Sequence, residues 1–418
     1  MIHRNQMLAL AGAIERVRTL DMPADAALSA YFKAHGEMGA RDRAFVSDGA
    51  FAYLRRKASL ETLAETDDPR LLANAVAVRE LGHSVRELET AINAADARWL
   101  AAFKARLNQP LAAAVAADVP DWLWHRLGET YDDKARAALT RAWQSPAPLD
   151  LRANVMKTTR GAAFAELSAE GLQVAATPYS PFGVRIQGRP MLARHSWLAD
   201  GRLEVQDEGS QLVGLLVAPR RTDMVVDFCA GAGGKTLMLG AMMRSQGRLY
   251  AFDVSAKRLA RLTPRLARSG LSNVHPQVIA HERDTKVKRL AGKIDRVLVD
   301  APCTGFGTLR RNPDLKWRQT PEDLVELAVK QAQILAAAAT LVKPGGRLVY
   351  ATCSVLPEEN DAIVDAFLAK DAAFVERDVA ALLERADIPL NTGPRLRLRT
   401  DLHGCDGFFA AILERRHL

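Results

Sequence analysis

Apolar positions in the first third of the chain recur at helical spacing. Met7, Leu10, Ile14 and Val17 fall at i, i+3, i+7 and i+10, one stripe on one helix. The stretches DPRLLANAVAVRELGH and SVRELETAINAADARWLAAFKARL follow, rich in Ala, Leu, Arg and Glu, all good helix formers. Asp121–Trp143 continues the pattern, and Gln144-Ser145-Pro146-Ala147-Pro148 reads as a hinge. Residues 1–144 therefore predict an all-helical domain.

The texture changes at Leu149. LDLRANVMKTT and VRIQGRP have the look of short strands, with AAFAELSAEGL between them as a helix ending at Gly171. Residues 149–204 predict a small α+β segment. Beyond 205 short apolar runs alternate with helical stretches. Met224–Val226, Arg248–Phe252, Arg296–Val299 and Arg347–Ala351 read as strands, and LMLGAMMRSQG as a helix. Continuous apolar strands alternating with helices predict a mostly parallel sheet buried on both faces, a Rossmann-like α/β fold over 205–418.

Composition narrows the function classes. The chain has 418 residues, too many for one typical core, with 48 % hydrophobic and 25 % charged residues. No uninterrupted apolar run of roughly 18 residues predicts a membrane span, and MIHRNQMLALAGAIERV does not read as a secretory signal. Four cysteines, at 229, 303, 353 and 405, are too sparse for a disulfide framework and form no CxxC pair. Free thiols in a reducing cytoplasm, without a metal, fit this usage. The formal charge of +8 leans towards a polyanionic partner.

Between the first strand of the α/β segment and its helix runs Asp227-Phe228-Cys229-Ala230-Gly231-Ala232-Gly233-Gly234-Lys235-Thr236. Glycines here let the backbone turn tightly and approach a ligand, and the following helix N-terminus favours negative charge. A dinucleotide, a nucleoside triphosphate and S-adenosylmethionine (SAM) all suit such a turn. A P-loop needs four residues between its first glycine and the Gly-Lys pair, and Gly231 to Gly234 leaves two. Asp253 ends the second strand, 22 residues after Gly231, where a carboxylate can accept from both ribose hydroxyls.

Asp300-Ala301-Pro302-Cys303-Thr304-Gly305 and Ala351-Thr352-Cys353-Ser354 each follow an apolar strand directly. Ligands of open α/β sheets sit beyond the strands' C-terminal ends, so both cysteines should face the cofactor crevice. A single cysteine is more often a small buried hydrophobe, and Cys229 and Cys405 keep that reading. Two thiols at strand ends suggest chemistry on a pyrimidine. Carbon 5 of cytosine is a poor nucleophile until a thiolate adds to carbon 6 and breaks the aromaticity. Asp300 is placed to hydrogen-bond the N3/N4 edge of such a base, and Lys235 to pair with thiolate or base. Spacing alone does not say which cysteine attacks.

DFCAGAGGKT, VDAPCTGFG, RRNPDLKW and ATCSVLPEEN, in this order, resemble the successive motifs of the Sun/Nop2/NSUN family of RNA 5-methylcytosine methyltransferases. The likeness covers roughly residues 149–418. It implies a SAM-dependent methyltransferase in which Cys353 is the nucleophile and Cys303 assists release of the methylated base. Lys235 and Asp300 would contact the target cytosine and Asp253 the SAM ribose. The rest of the cofactor set would be Asp227, Cys229, Ala230, Gly231, Ala232, Gly233, Gly234, Lys235, Arg258, Asp284 and Asp300, although HERDT around Asp284 matches poorly. The family's first motif usually reads CAAPGGKT, so Gly231-Ala232 stand here for Ala-Pro. That change predicts a more mobile loop that still binds SAM.

Between Arg283 and Arg318 ten Lys/Arg stand against four Asp/Glu, interleaved with Phe306 and Trp317. Such a strip suits a phosphate backbone and a splayed-out base, and a plain solvated surface is its alternative. Lys257, Arg261, Arg265 and Arg268 share a helix face that reads as solvated charge. Gly39-Ala40-Arg41-Asp42-Arg43-Ala44-Phe45 and Ala52-Tyr53-Leu54-Arg55-Arg56 are similar to the NusB-like helical RNA-binding module of the family's bacterial 16S rRNA enzymes, the small-subunit methyltransferase B type. The resemblance implies a structured RNA partner, 16S rRNA or a small-subunit precursor, with 149–204 as an RNA-contacting subdomain and a monomer as the default. Three rivals stay open: methylation of a base nitrogen or ribose hydroxyl, which needs no carbon-6 thiol; an inactive RNA-binding protein; and a cytosine-5 DNA enzyme, which would lack the second cysteine.

Overall fold

The stripe of Met7, Leu10, Ile14 and Val17 is the buried face of a helix, Arg4–Val17, in the computed structural model of the chain. The structure describes residues 2–417 other than 189, 191, 193 and 194. The chain divides into two compact units, Met1–Pro146 with Thr308–Pro321, and Ala147–Gly307 with Glu322–Leu418.

The first unit is helical. Arg4–Val17, Ala40–Arg55 and Pro69–Arg79 surround a core that includes Leu10, Ile14, Val46, Tyr53, Leu72 and Val76. Two stretches expected as long helices are split. Asn93 accepts from the Asp96 amide at 2.8 Å and starts a new helix, Ala94–Arg106, after the short turn Val85–Leu88. Asp132 does the same for Asp133–Trp143, leaving Asp121–Gly128 separate. One capping side chain interrupts what bulk helix propensity would continue. Thr308–Pro321 joins this unit from far along the chain. Lys316 Nζ donates to Arg55 O at 2.9 Å, and Trp317 Nε1 to Leu54 O at 2.7 Å. The span 205–418 is therefore not one contiguous unit.

The second unit holds two sheets. In the smaller, β1 (Leu149–Ala153), β2 (Val174–Ala176), β3 (Gly183–Ile186) and β4 (Leu203–Val205) pair antiparallel in the order β2-β3-β1-β4. The helix Arg160–Ala169 closes its core of Leu151, Leu167, Val184, Ile186 and Trp197. Of the expected strands, LDLRANVMKTT turns away after Ala153 and VRIQGRP ends at Ile186; its Arg189 lies outside the described residues. Glu204 on β4 is nearly fully buried and accepts from Arg265 at 2.8 Å and Arg268 at 3.0 Å. Half of the basic face on the helix Ala256–Ser269 is thus a clasp between sheet and helix, while Lys257 and Arg261 stay exposed.

The larger sheet contains β5 (Met224–Asp227), β6 (Arg248–Asp253), β7 (Val274–Val278), β8 (Ile294–Asp300), β9 (Val342–Thr352), β10 (Phe374–Arg377), β11 (Leu396–Leu398) and β12 (Phe408–Arg415). Its order is β10-β12-β9-β8-β5-β6-β7, with β11 against β12. The strands β7, β6, β5, β8 and β9 run parallel, and β12 is antiparallel to β9. Neighbouring residues point to opposite cores: Val225 to one and Val226 to the other, Leu298 to the first, Val297 and Val299 to the second. Burial of both faces is why these strands read as unbroken apolar runs. The chain moves outward from β5 through β6 to β7, then returns to the other side of β5 with β8. That reversal opens a crevice beyond the C-terminal ends of β5 and β8. Among the described residues no helix is long and apolar enough to cross a membrane.

Candidate active site

Four strand ends border the crevice, and each carries a polar residue: Asp227 on β5, Asp253 on β6, Asp300 on β8 and Thr352 on β9. The turn after β5 is held by backbone bonds from Phe228 N to Leu298 O and from Ala230 N to Phe252 O, both 2.8 Å. Gly231 and Gly233 adopt φ of 56° and 83°, left-handed conformations that other residues rarely accept. At Gly233 a Cβ would also stand 2.2 Å from Leu262 Cδ1. Gly233 caps the helix Gly234–Met242 without a side chain, so amides at the helix start lack a side-chain cap.

The acids behave differently from one another. Asp227 is buried; its Oδ2 accepts from Thr236 Oγ1 at 2.6 Å, while Oδ1 has no partner among the described residues. Burial pushes its carboxyl up to about 7. Asp253 accepts from Gly231 N at 2.9 Å through Oδ2, and from Ser255 N and Arg258 Nη2 through Oδ1. Asp284 lies beyond β7 and caps the turn Thr285–Lys288. Its backbone bonds from Ala280 and Lys286 hold its carboxyl below the usual range. Burial pushes the Cys229 thiol up, in keeping with an inert side chain.

On the other side of the turn, Lys235 Nζ meets Asp300 Oδ2 at 2.8 Å and lies 5.1 Å from the centre of the Phe408 ring. Burial alone would lower the Lys235 ammonium, but the Asp300 carboxylate outweighs it and holds the group above its ordinary value. Next to this pair Cys303 Sγ and Cys353 Sγ are 3.3 Å apart. The hydrogen bond with Cys353, then burial, raises Cys303 well above an ordinary thiol, so it stays protonated at neutral pH.

Backbone ties bring the two cysteine loops together. Ala301 N donates to Ala351 O and Gly307 N to Cys353 O, each at 2.8 Å. Gly307 allows this approach because a Cβ there would fall 2.0 Å from Gly407 O. Thr352 Oγ1 donates to Asn360 Oδ1 at 2.5 Å, and Asn360 Nδ2 donates back to Ser354 O at 3.1 Å, fixing the turn that carries Cys353. Asn360 and Glu359 stand inside the ATCSVLPEEN motif, so their place in the chain signalled them even though their contacts did not. Gln331, whose amide reaches Pro302 O at 2.9 Å, sits in an ordinary helix and gives no sequence signal.

The basic and aromatic strip expected between Arg283 and Arg318 is corrected in its second half, while Arg283, Lys286, Lys288, Arg289 and Lys293 stay exposed. Phe306 is fully buried and Lys316 nearly so, and Trp317 donates its indole N–H within the helical unit. Counting charges along a segment does not reveal which ones the fold encloses.

Sheet order, turn and site define a Rossmann-like methyltransferase fold. Residues 214–414 match the model of the family described as 16S rRNA methyltransferase RsmB/F. Residues 119–191 match the RsmF/B-like ferredoxin-like domain. The chain belongs to this family. It is 35 % identical over 295 residues to ribosomal RNA small subunit methyltransferase B of Erwinia tasmaniensis, covering 70 % of this chain and 66 % of that protein. Against the Salmonella newport protein of the same description it is 36 % identical over 259 residues, covering 62 % and 59 %. The chain thus spans about two thirds or less of these relatives' own length. Among solved structures, PH0851 superimposes with a TM-score of 0.81 over 99 % of each chain at 25 % identity.

Proposed function

We propose that this protein methylates carbon 5 of one cytosine in 16S rRNA or a small-subunit precursor, with SAM as methyl donor. The observation that carries the reading is the pair of sulfurs 3.3 Å apart beside the Lys235–Asp300 pair, at the ends of adjacent strands. Membership in a family of 16S rRNA methyltransferases supports the substrate class.

The residues fit the cofactor. Gly231, where a Cβ would meet nothing within 4 Å, leaves room, and the helix start at Gly234 without a side-chain cap offers amide donors. Asp253 offers a carboxylate for the ribose, and Asp227 Oδ1 is a buried acceptor without a donor among the described residues. Arg258 pairs with Asp253 at the rim; Cys229, Ala230 and Ala232 contribute the turn, and Asp284 flanks it after β7. SAM, when bound, supplies the methyl group.

The protein's own groups do the rest. The Cys353 thiolate adds to carbon 6 of the cytosine, and the electron pair displaced into the ring makes carbon 5 nucleophilic. Lys235 and Asp300 hold the N3/N4 edge, the ammonium drawing electrons out of the ring and the carboxylate accepting from the exocyclic amine. After methylation solvent water takes the carbon-5 proton, the C–H electrons re-form the C5–C6 double bond, and the C6–S bond breaks so that the Cys353 sulfur departs as thiolate. Cys303, kept as a thiol 3.3 Å away, assists that release by donating its proton to the departing sulfur. The base must leave its stack to reach the crevice. We assign RNA capture to the helical unit as a NusB-like module, aided by the small sheet, in a monomeric cytoplasmic enzyme.

Base-resolved 5-methylcytosine mapping on 16S rRNA, with SAM and wild type, Cys353→Ala or Cys303→Ala protein, tests the reading. One methylated cytosine is expected with wild type and none with Cys353→Ala. Cys303→Ala should leave a protein–RNA adduct that survives denaturation. Wild-type methylation by Cys353→Ala would move a base nitrogen or ribose hydroxyl to first place.

A further inference from the structure

Behind the two thiols lies a buried carboxylate that the reaction above does not use. Glu359 follows Cys353 by six residues, in the short turn Pro357–Glu359, and is fully enclosed. Its Oε1 accepts from Thr304 N at 2.8 Å and from Gln331 Nε2 at 3.0 Å; its Oε2 accepts from Thr304 Oγ1 at 2.5 Å. Gln331 Nε2 also donates to Pro302 O at 2.9 Å. Both neighbours of Cys303 are therefore tied to one carboxylate, Thr304 directly and Pro302 through Gln331. The same turn is anchored from β9, where Tyr350 Oη donates to Glu359 O at 2.7 Å. Thr304 Oγ1 in addition lies 3.3 Å from Ser354 Oγ, next to Cys353.

Among the described residues no Lys or Arg pairs with Glu359. Its partners are neutral donors, and an enclosed carboxylate is expensive to keep unless its hydrogen bonds matter. Burial pushes its carboxyl up, and hydrogen bonds from Ser354, Thr304 and Gln331 oppose that; as a carboxylate it accepts on both oxygens and satisfies these converging donors. A glutamine would turn an N–H towards one of those donors.

We propose that Glu359 is a positioning residue that locks the Cys303 loop against the strand end bearing Cys353 and so sets the separation of the two thiols. The inference rests on the two-thiol reading above. The Glu359 carboxylate acts in the same direction: after the Cys353 hydrogen bond, burial and the Cys353 charge, it is among the influences that keep Cys303 protonated. Cys303 then stays a thiol, as release requires.

The test compares Glu359→Gln, Thr304→Val and Cys303→Ala on 16S rRNA with SAM, reading kcat, both KM values and denaturation-resistant adduct. Displacing a reacting group by about 1 Å costs on the order of 10²-fold in rate. Glu359→Gln should lose about that much kcat, with the KM for SAM and for RNA unchanged and adduct accumulating as in Cys303→Ala. Thr304→Val, which removes only one arm of the lock, should show the same pattern more weakly, and decides the matter if Glu359→Gln does not fold. Wild-type turnover by both variants, or a raised KM without adduct, overturns the inference while leaving the two-thiol reading intact. Absence of adduct in Cys303→Ala itself overturns the two-thiol reading and this inference with it.

Discussion

Cys303 Sγ lies 3.3 Å from Cys353 Sγ, at the C-terminal ends of the neighbouring parallel strands β8 and β9. The two thiols are not equivalent. Cys303 is held protonated by the hydrogen bond with Cys353 and by burial. Alkylation with iodoacetamide across pH 7 to 9, followed by peptide mass spectrometry, should therefore leave Cys303 largely unmodified while the denatured chain reacts at that site. Because only the thiolate reacts, rapid labelling of Cys303 at pH 7 in the folded protein would contradict its assignment as a thiol donor.

Lys235 is buried against Asp300 at 2.8 Å and faces the Phe408 ring. Lys235→Met keeps the volume but removes the positive charge on which the base edge and the carboxylate depend. A fall in methyl transfer of roughly 10²–10³-fold is expected, the scale for losing one preorganised donor. Isothermal titration should find SAM affinity far less affected, because the proposed mechanism gives the ammonium to the base rather than to the cofactor.

The two left-handed glycines should respond differently to a methyl group. At Gly231 a Cβ meets nothing within 4 Å, so only the φ of 56° opposes alanine, a penalty of about 1–2 kcal/mol. At Gly233 the same strain is joined by a clash with Leu262. Urea unfolding should rank Gly233→Ala well below Gly231→Ala, with Gly231→Ala still binding SAM. Equal stabilities would mean that the Leu262 side chain yields freely.

Lys316 is enclosed in the helical unit near Asp118, and burial lowers its ammonium from 10.5 to about 7. Between these values the unfolded chain binds more protons than the folded one, so stability rises as pH increases through that window. Lys316→Met should abolish the rise: wild-type Tm is expected to climb from pH 7 to 10 relative to the variant, the curves running parallel below pH 7. A pH-independent difference would place the Lys316 charge in water.

Much of the candidate site's layout was legible in the chain because it depends on local order. An apolar run ending in Asp or in Thr-Cys marks a strand end, and strand ends of a parallel sheet face the ligand, so Asp227, Asp253, Asp300, Cys303 and Cys353 could be grouped before their positions were known. The strands β5, β6, β8 and β9 were visible for the same reason, since burial on both faces removes polar interruptions. β7 was not: VHPQV lies at the sheet edge, and its polar residues and Pro276 break the pattern.

What only tertiary structure decided are relations between residues far apart in sequence. The sequence placed two cysteines at strand ends; their 3.3 Å separation follows from β8 lying beside β9, and from Gly307 passing against Gly407 without a Cβ. Thr308–Pro321 looked like a basic strip of the catalytic domain, and its return to the helical unit buries Lys316. Glu359 stood in plain view in its motif, yet the donors that tie it to the Cys303 loop come from Thr304 and Gln331, 55 and 28 residues away. Periodicity and residue type encode which face a side chain prefers, because burial is set by the local repeat. Which partners meet on that face is set by strand order and loop return, and those depend on packing across the whole unit.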